Sequence, residues 1–206
     1  MTASCFVPVA AGIGCGVNVL DDIWRPGVGL VVCGTAVGEC AVQRGHHYAQ
    51  RGNGFWRLLH DSGLTPRMLA ADEESQLPHH DIGLVDLVKD STLPCGFDVA
   101  RLESVLRQAP PRWIAFNGRV GADAVALTVG APRPLLGVQD WMFAGSRVFV
   151  LPSSSGANQR KDHGGRPQRL DWWSELAEAV PAKTRRPDRP PAPALRTPAP
   201  PAARPT

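Results

Sequence analysis

Four short apolar runs set the frame of this chain: Val28-Gly29-Leu30-Val31-Val32-Cys33, Ile82-Gly83-Leu84-Val85-Asp86-Leu87-Val88, Trp113-Ile114-Ala115-Phe116 and Val148-Phe149-Val150-Leu151. A strand that is apolar along its whole length has to be covered on both faces, which is the condition of a parallel sheet packed between helices. Helical patterns fall between the runs. Phe55, Leu58 and Leu59 recur at helical spacing and Gly63 is placed to end that helix. Thr65-Pro66 opens a short helix with Asp72-Glu73-Glu74 on its solvated side. Asp98 caps a helix carrying Val99, Leu102, Val105 and Leu106 on one face, stopped by Pro110-Pro111. A helix is predicted over 121–127, and Asp171-Trp172-Trp173 opens a last one with Leu176 and Ala177. The fold expected is α/β, a three-layer α/β/α sandwich around a mostly parallel four-stranded sheet. In such sheets ligands sit beyond the carboxyl ends of the strands, where the loops at 34–53, 86–95, 117–119 and 152–160 should converge.

Charge and proline divide the chain. Residues 181–206 hold nine of the 20 prolines and six basic residues, Lys183, Arg185, Arg186, Arg189, Arg196 and Arg204, against Asp188 alone. The pI of 8.8 therefore describes this tail, and the remaining 180 residues are slightly acidic. A Pro/Ala/Arg-rich segment cannot bury enough apolar surface to offset the entropy of ordering it, so 181–206 reads as a disordered arm, partly polyproline II. Residues 1–21 read as a loosely held extension and 22–180 as one domain. Cys5, Cys15, Cys33, Cys40 and Cys95 are odd in number and contain no C-x-x-C pair, which predicts a reducing, cytoplasmic setting and neither a disulfide framework nor a zinc ribbon. Glycines and a proline interrupt the N-terminal apolar stretch well short of the roughly 20 residues of a membrane span.

Three segments carry chemistry together: CGTAVG at 33–38, GHHYAQRGNGFW at 45–56 with SGLTPRML at 62–69, and LPSSSGAN at 151–158. With IGLVDLVK at 82–89 they resemble the uracil-DNA glycosylase superfamily, most closely its mismatch-specific uracil/thymine branch, over about residues 22–180. The resemblance implies DNA containing uracil or another deaminated or mispaired base as partner, and hydrolysis of the N-glycosidic bond by water after the base is flipped out of the stack. It implies a monomer that needs no cofactor and no metal. Positive charge develops on the sugar and negative charge on the leaving base, so such a site wants a carboxylate or oriented water on one side and hydrogen-bond donors on the other.

Tyr48 falls where the family places the aromatic ring that stacks on the flipped base. Asn53 matches a family position at the start of the next helix, where capping would account for it equally well. The family's first motif, G-I-N-P-G, reads Gly34-Thr35-Ala36-Val37-Gly38 here, and Ala36 replaces the asparagine that positions the attacking water. Gly34, Thr35 and Ala36 can still present backbone N–H groups to a base carbonyl. Asp86, inside an apolar run where an unpaired carboxylate is costly, is the substitute expected to stabilise the sugar cation or orient the water. A structural aspartate bonded to loop amides or to Lys89 is the competing reading. Asn117 and Ser153 are candidates for the base edge.

The second motif, usually His or Asn before P-S, reads Ser153-Ser154-Ser155-Gly156-Ala157-Asn158. In the family this loop enters the duplex and fills the gap left by the flipped base, and Ala157 makes a small wedge. Ser154, Ser155, Gly156, Ala157 and Asn158, followed by Arg160 and Lys161, form the expected DNA-facing set, with Arg166 and Arg169 as further phosphate contacts. A Schiff-base route could draw only on Lys89 or Lys161 in the domain and is not favoured. His46-His47 and His79-His80 are adjacent pairs whose side chains should point apart, which argues against a metal site. Asp140-Trp141 and Trp172-Trp173 read as packing residues. The rival function is a catalytically weak or inactive DNA-binding member of the same fold. A small-molecule hydrolase or nucleotide-binding protein ranks below it, because no complete P-loop or Rossmann fingerprint is present.

Overall fold

The computed structural model describes residues 20–89 and 97–180. The extension before residue 20, the tail from 181, Cys5, Cys15, Cys95 and most of the 86–95 loop lie outside the described residues. Five strands, β1 (Leu30–Gly34), β2 (Ile82–Asp86), β3 (Trp113–Asn117), β4 (Gly137–Phe143) and β5 (Ser146–Leu151), form one sheet in the order β2-β1-β3-β5-β4. β1, β2, β3 and β5 run parallel, and β4 lies antiparallel on β5 at the edge. Among the described residues five α-helices accompany them: α1 (Glu39–Arg44), α2 (Phe55–Asp61), α3 (Val99–Gln108), α4 (Arg119–Val129) and α5 (Arg169–Ala179).

The apolar runs behave as two-sided strands should. Val31 and Cys33 of β1 join Val85, Ile114, Phe116, Val148 and Val150 beneath Leu102 and Leu106 of α3 and Ala122 and Val125 of α4. Leu30 and Val32 face the other way, with Leu84, Trp113, Ala115, Phe149 and Leu151, against Phe55 and Leu59 of α2 and Trp173 and Leu176 of α5. Successive residues of each strand thus feed opposite layers, and the α/β/α sandwich follows.

Several expectations need correction. Among the described residues the sheet has five strands, because Gly137-Val-Gln-Asp-Trp-Met-Phe143 forms a half-exposed edge strand that lacks a continuous apolar run. The tight turn into β5 holds Ala144 and Gly145 at φ of 50° and 86°, a two-residue hairpin conformation that Asn-Gly would have signalled. Trp141 does pack on the core, but Asp140 is exposed. No helix begins at Thr65-Pro66; the Thr65 amide folds back onto the Leu59 carbonyl at 3.2 Å, and a 3-10 helix forms over Ala71–His80. The 34–53 loop contains α1. Asp98 caps α3 as expected, its carboxylate accepting the Arg101 N–H at 2.9 Å. Among the described residues no helix is long and apolar enough to cross a membrane.

Candidate active site

Parallel register brings the carboxyl ends of the strands together. Gly34, the last residue of β1, pairs with Asp86, the last of β2, while Asn117 ends β3 beside Leu151 of β5. The loops that leave these ends enclose a cavity of about 240 Å³ lined by Gly34, Thr35, Ala36, Tyr48, Asn53, Asp86, Asn117, Ser153, Ser154 and Ser155, with His47 behind them. That is smaller than the roughly 300–1,000 Å³ of drug-sized sites.

Asp86 is 3% exposed and stands at the inner wall of this cavity. Its partner is His47, also 3% exposed, whose Nε2 lies 3.1 Å from Asp86 Oδ2 as an ion pair whose alignment falls short of a hydrogen bond. The other ring nitrogen, Nδ1, lies 2.9 Å from Glu74 Oε2, and the His47 backbone N–H donates to the same oxygen at 2.7 Å. Burial opposes the charge on the ring, but the two carboxylates outweigh it and raise its pKa to about 9. The same bonds hold the Glu74 carboxyl below its ordinary range in spite of its partial burial. Lys89, the partner weighed for Asp86, pairs instead with Asp22 Oδ1 at 2.8 Å. Arg101 grips Asp22 and also donates to the Asp86 backbone carbonyl at 2.6 Å, which anchors the end of β2.

Gly34 is required by contact. A Cβ there would lie 2.1 Å from Asp86 Oδ1 and 2.8 Å from the Tyr48 hydroxyl oxygen, so any side chain would evict both. Tyr48 sits at φ 55°, a left-handed conformation that costs a non-glycine residue roughly 1–2 kcal/mol and gathers at functional sites. One face of its ring is taken by Phe55, with centroids 3.8 Å apart and planes 17° from parallel. Burial and the neighbouring Asp86 charge push the Tyr48 phenol pKa up, keeping it neutral.

Asn117 is locked. Its Oδ1 accepts the Ser154 N–H at 2.9 Å and its Nδ2 donates to the Ser154 hydroxyl at 2.8 Å, which fixes which end of the amide is which. Ser154 is 1% exposed, so its side chain, expected to meet DNA, braces Asn117 instead. Asn53 Oδ1 accepts the Phe55 N–H at 3.0 Å and so ties the entry to α2 while lining the cavity.

The 153–158 loop is held from several sides. Arg169 donates to the carbonyls of Ser153 and Ser155, both at 3.1 Å, and Gly54 N–H donates to the Ser154 carbonyl at 2.9 Å. Asn158 Nδ2 donates to the Ser153 carbonyl at 3.1 Å. Gly156 packs so closely on Gly52 that a Cβ would fall 2.6 Å from the Gly52 carbonyl oxygen. Ala157, Arg160 and Lys161 are exposed, and no ion pair engages the two cations among the described residues. Arg166 and Arg169, expected on phosphates, are committed elsewhere: Arg166 pairs with Glu175 and stacks on Trp172 at 3.8 Å, while Arg169 ties down the loop.

Two site residues, His47 and Glu74, escape sequence reasoning. Adjacent histidines were expected to diverge, yet His46 Nδ1 and His47 Nδ1 reach the two oxygens of Glu74 at 3.1 and 2.9 Å. Glu74, assigned to a solvated face, turns inward. Nothing in the order of residues joins 74 to 47, although the place of His47 beside Tyr48 was a usable signal. Among the described residues no group of three or more His, Cys, Asp or Glu side chains is arranged to hold a metal ion.

Residues 23–177 match the uracil DNA glycosylase superfamily. Among solved structures, the fold is similar to the solution structure of a protein from Methanosarcina acetivorans described as a candidate uracil DNA glycosylase, with a TM-score of 0.56 and 23% identity. The alignment covers 78% of this chain and 96% of that one.

Proposed function

Because this chain belongs to the uracil DNA glycosylase superfamily, we propose that it is a monofunctional DNA glycosylase that removes uracil or a related deaminated base, with Asp86 as the catalytic carboxylate. The observation that carries this reading is a buried carboxylate, 3.1 Å from the His47 ring, at the wall of a cavity of about 240 Å³ beyond the carboxyl ends of the parallel strands. The flipped base enters against Tyr48. The glycosidic bond breaks with its electron pair leaving on the base, and the positive sugar is stabilised by the Asp86 carboxylate. Water then bonds to the sugar carbon, and its proton ends on the departing base.

Ala36 supplies no amide to orient water, so this role passes to Asp86 and to the backbone of the 34–38 turn. The base edge meets backbone groups of that turn, Ser153, and the remaining capacity of Asn117. Ser155, Gly156, Ala157 and Asn158 face the strand, and Arg160 and Lys161 supply phosphate contacts. Membership of the mismatch-specific branch and action as a monomer are part of the same proposal. Ala157 fills the gap in the duplex poorly, which favours mismatched or single-stranded substrate.

A non-cleaving, DNA-binding role is favoured by one observation: neither Ala36 nor Ser153 carries the side chain that the family uses in those motifs. Labelled oligonucleotides bearing uracil, hypoxanthine, xanthine or thymine, single-stranded, paired and mismatched, separate the two. Alkali-labile sites formed by the wild type support excision and identify the base. DNA binding with no abasic product on any substrate supports the non-cleaving role.

A further inference from the structure

Asp86 does not stand alone in the cavity wall. From it the contacts run through His47 to Glu74 and end at His46, on the far oxygen of Glu74, which is 37% exposed. Both ring nitrogens of His47 face carboxylate oxygens, Nε2 toward Asp86 at 3.1 Å and Nδ1 toward Glu74 at 2.9 Å. A neutral imidazole has one N–H and one lone pair, and would turn that lone pair on one of the two carboxylates. The imidazolium, a donor at both nitrogens, is the form that fits.

We propose that His47, clamped by Glu74, is a positioning residue that holds the Asp86 carboxylate in place and oriented for catalysis. This rests on the assignment of Asp86 made above. The burden on Asp86 is physical: a carboxylate 3% exposed is costly to bury unless a partner of opposite charge stands against it. Lys89 and Arg101, the nearest cations in sequence, are spent on Asp22. His47 is the cation that meets the Asp86 side chain, and Glu74 fixes its ring through two contacts, one to Nδ1 and one from the backbone N–H.

The surroundings of His47 support the pairing. The charged groups that face it are Asp86 from β2 and Glu74 from the 3-10 helix, with Tyr48 neutral beside it and His46 reached through Glu74. With its pKa raised to about 9, the ring stays charged through neutral pH and loses its proton on the alkaline side. Above that pH it can serve one carboxylate only, and the hold on Asp86 weakens. Removal of Glu74 takes away one of the two charges that raise the ring, so the loss moves to lower pH.

The test is single-turnover excision against pH for wild type, Asp86→Asn, His47→Gln and Glu74→Gln, with substrate affinity and the imidazole NMR titration of His47 measured in parallel. Asp86→Asn should be slowed about 10²–10⁴-fold. His47→Gln should lose about a hundredfold in rate with affinity within about twofold, the size expected when a catalytic group is misplaced rather than removed. Glu74→Gln, the milder change, should shift the alkaline limb of the wild-type profile and the His47 titration together to lower pH. Inactive wild type, or Asp86→Asn as fast as wild type, overturns the function proposed above and this inference with it. An active wild type and a strongly slowed Asp86→Asn, with Glu74→Gln matching the wild-type limb while the His47 titration moves, overturn the inference alone.

Discussion

At the residue scale the site is a set of close approaches. Gly34 leaves no room for a methyl group, so Gly34→Ala should lose activity even where the protein folds, because the Asp86 carboxylate and Tyr48 hydroxyl must move. Loss of excision with a native circular dichroism spectrum would be the expected pair of results. His47 also ties the site to stability. Its folded pKa, about 9, lies above the ordinary 6.5, so its contribution is complete below pH 6.5 and is lost as pH rises toward 9. The thermal midpoint should fall across that window and should fall less in His47→Gln. Glu74 works in the opposite direction: its lowered pKa gives stability above its ordinary carboxyl range that is lost in acid.

At the element scale the strands were the legible part of this chain and the edges were not. Residues of β1, β2 and β3, and of β5 after Arg147, are buried on both faces, and such strands write themselves as apolar runs. β4 exposes one side, alternates, and passes for a loop. The helix starts show the same split. Asp98 gives α3 a local signal, and Asp98→Ala should cost about 1 kcal/mol in chemical denaturation. Thr65-Pro66 gave an equally plausible signal, but Leu69, 2% exposed, anchors that segment in the core without a helical turn. Asp86 could be suspected from a carboxylate in an apolar run. Its partnership with His47 and Glu74 could not, because it depends on the 3-10 helix folding over the loop before α2, a contact between residues 27 apart. Likewise Ser154 reads as one of three equivalent serines until β3 and β5 place Asn117 against it.

At the scale of the whole molecule, the polar residues of the cavity gather at the carboxyl ends of the strands while apolar packing fills both layers beneath them. Strands β1, β2 and β3 contribute their terminal residues to the cavity, and the loop that leaves β5 closes it, pinned by Arg169 of α5. The basic tail at 181–206 stands apart from this arrangement in sequence. Its six cations against one acid are expected to add sequence-independent affinity, so a chain truncated after residue 180 should bind DNA with a shallower dependence on salt. An unchanged slope in a binding titration would assign the tail no such role. The most direct measurement compares wild type and Asp86→Asn for both binding and single-turnover excision on the same uracil-bearing single strand. Retained binding with excision slowed about 10²–10⁴-fold is the expected result for the loss of a catalytic carboxylate; equal excision rates in the two proteins would contradict it.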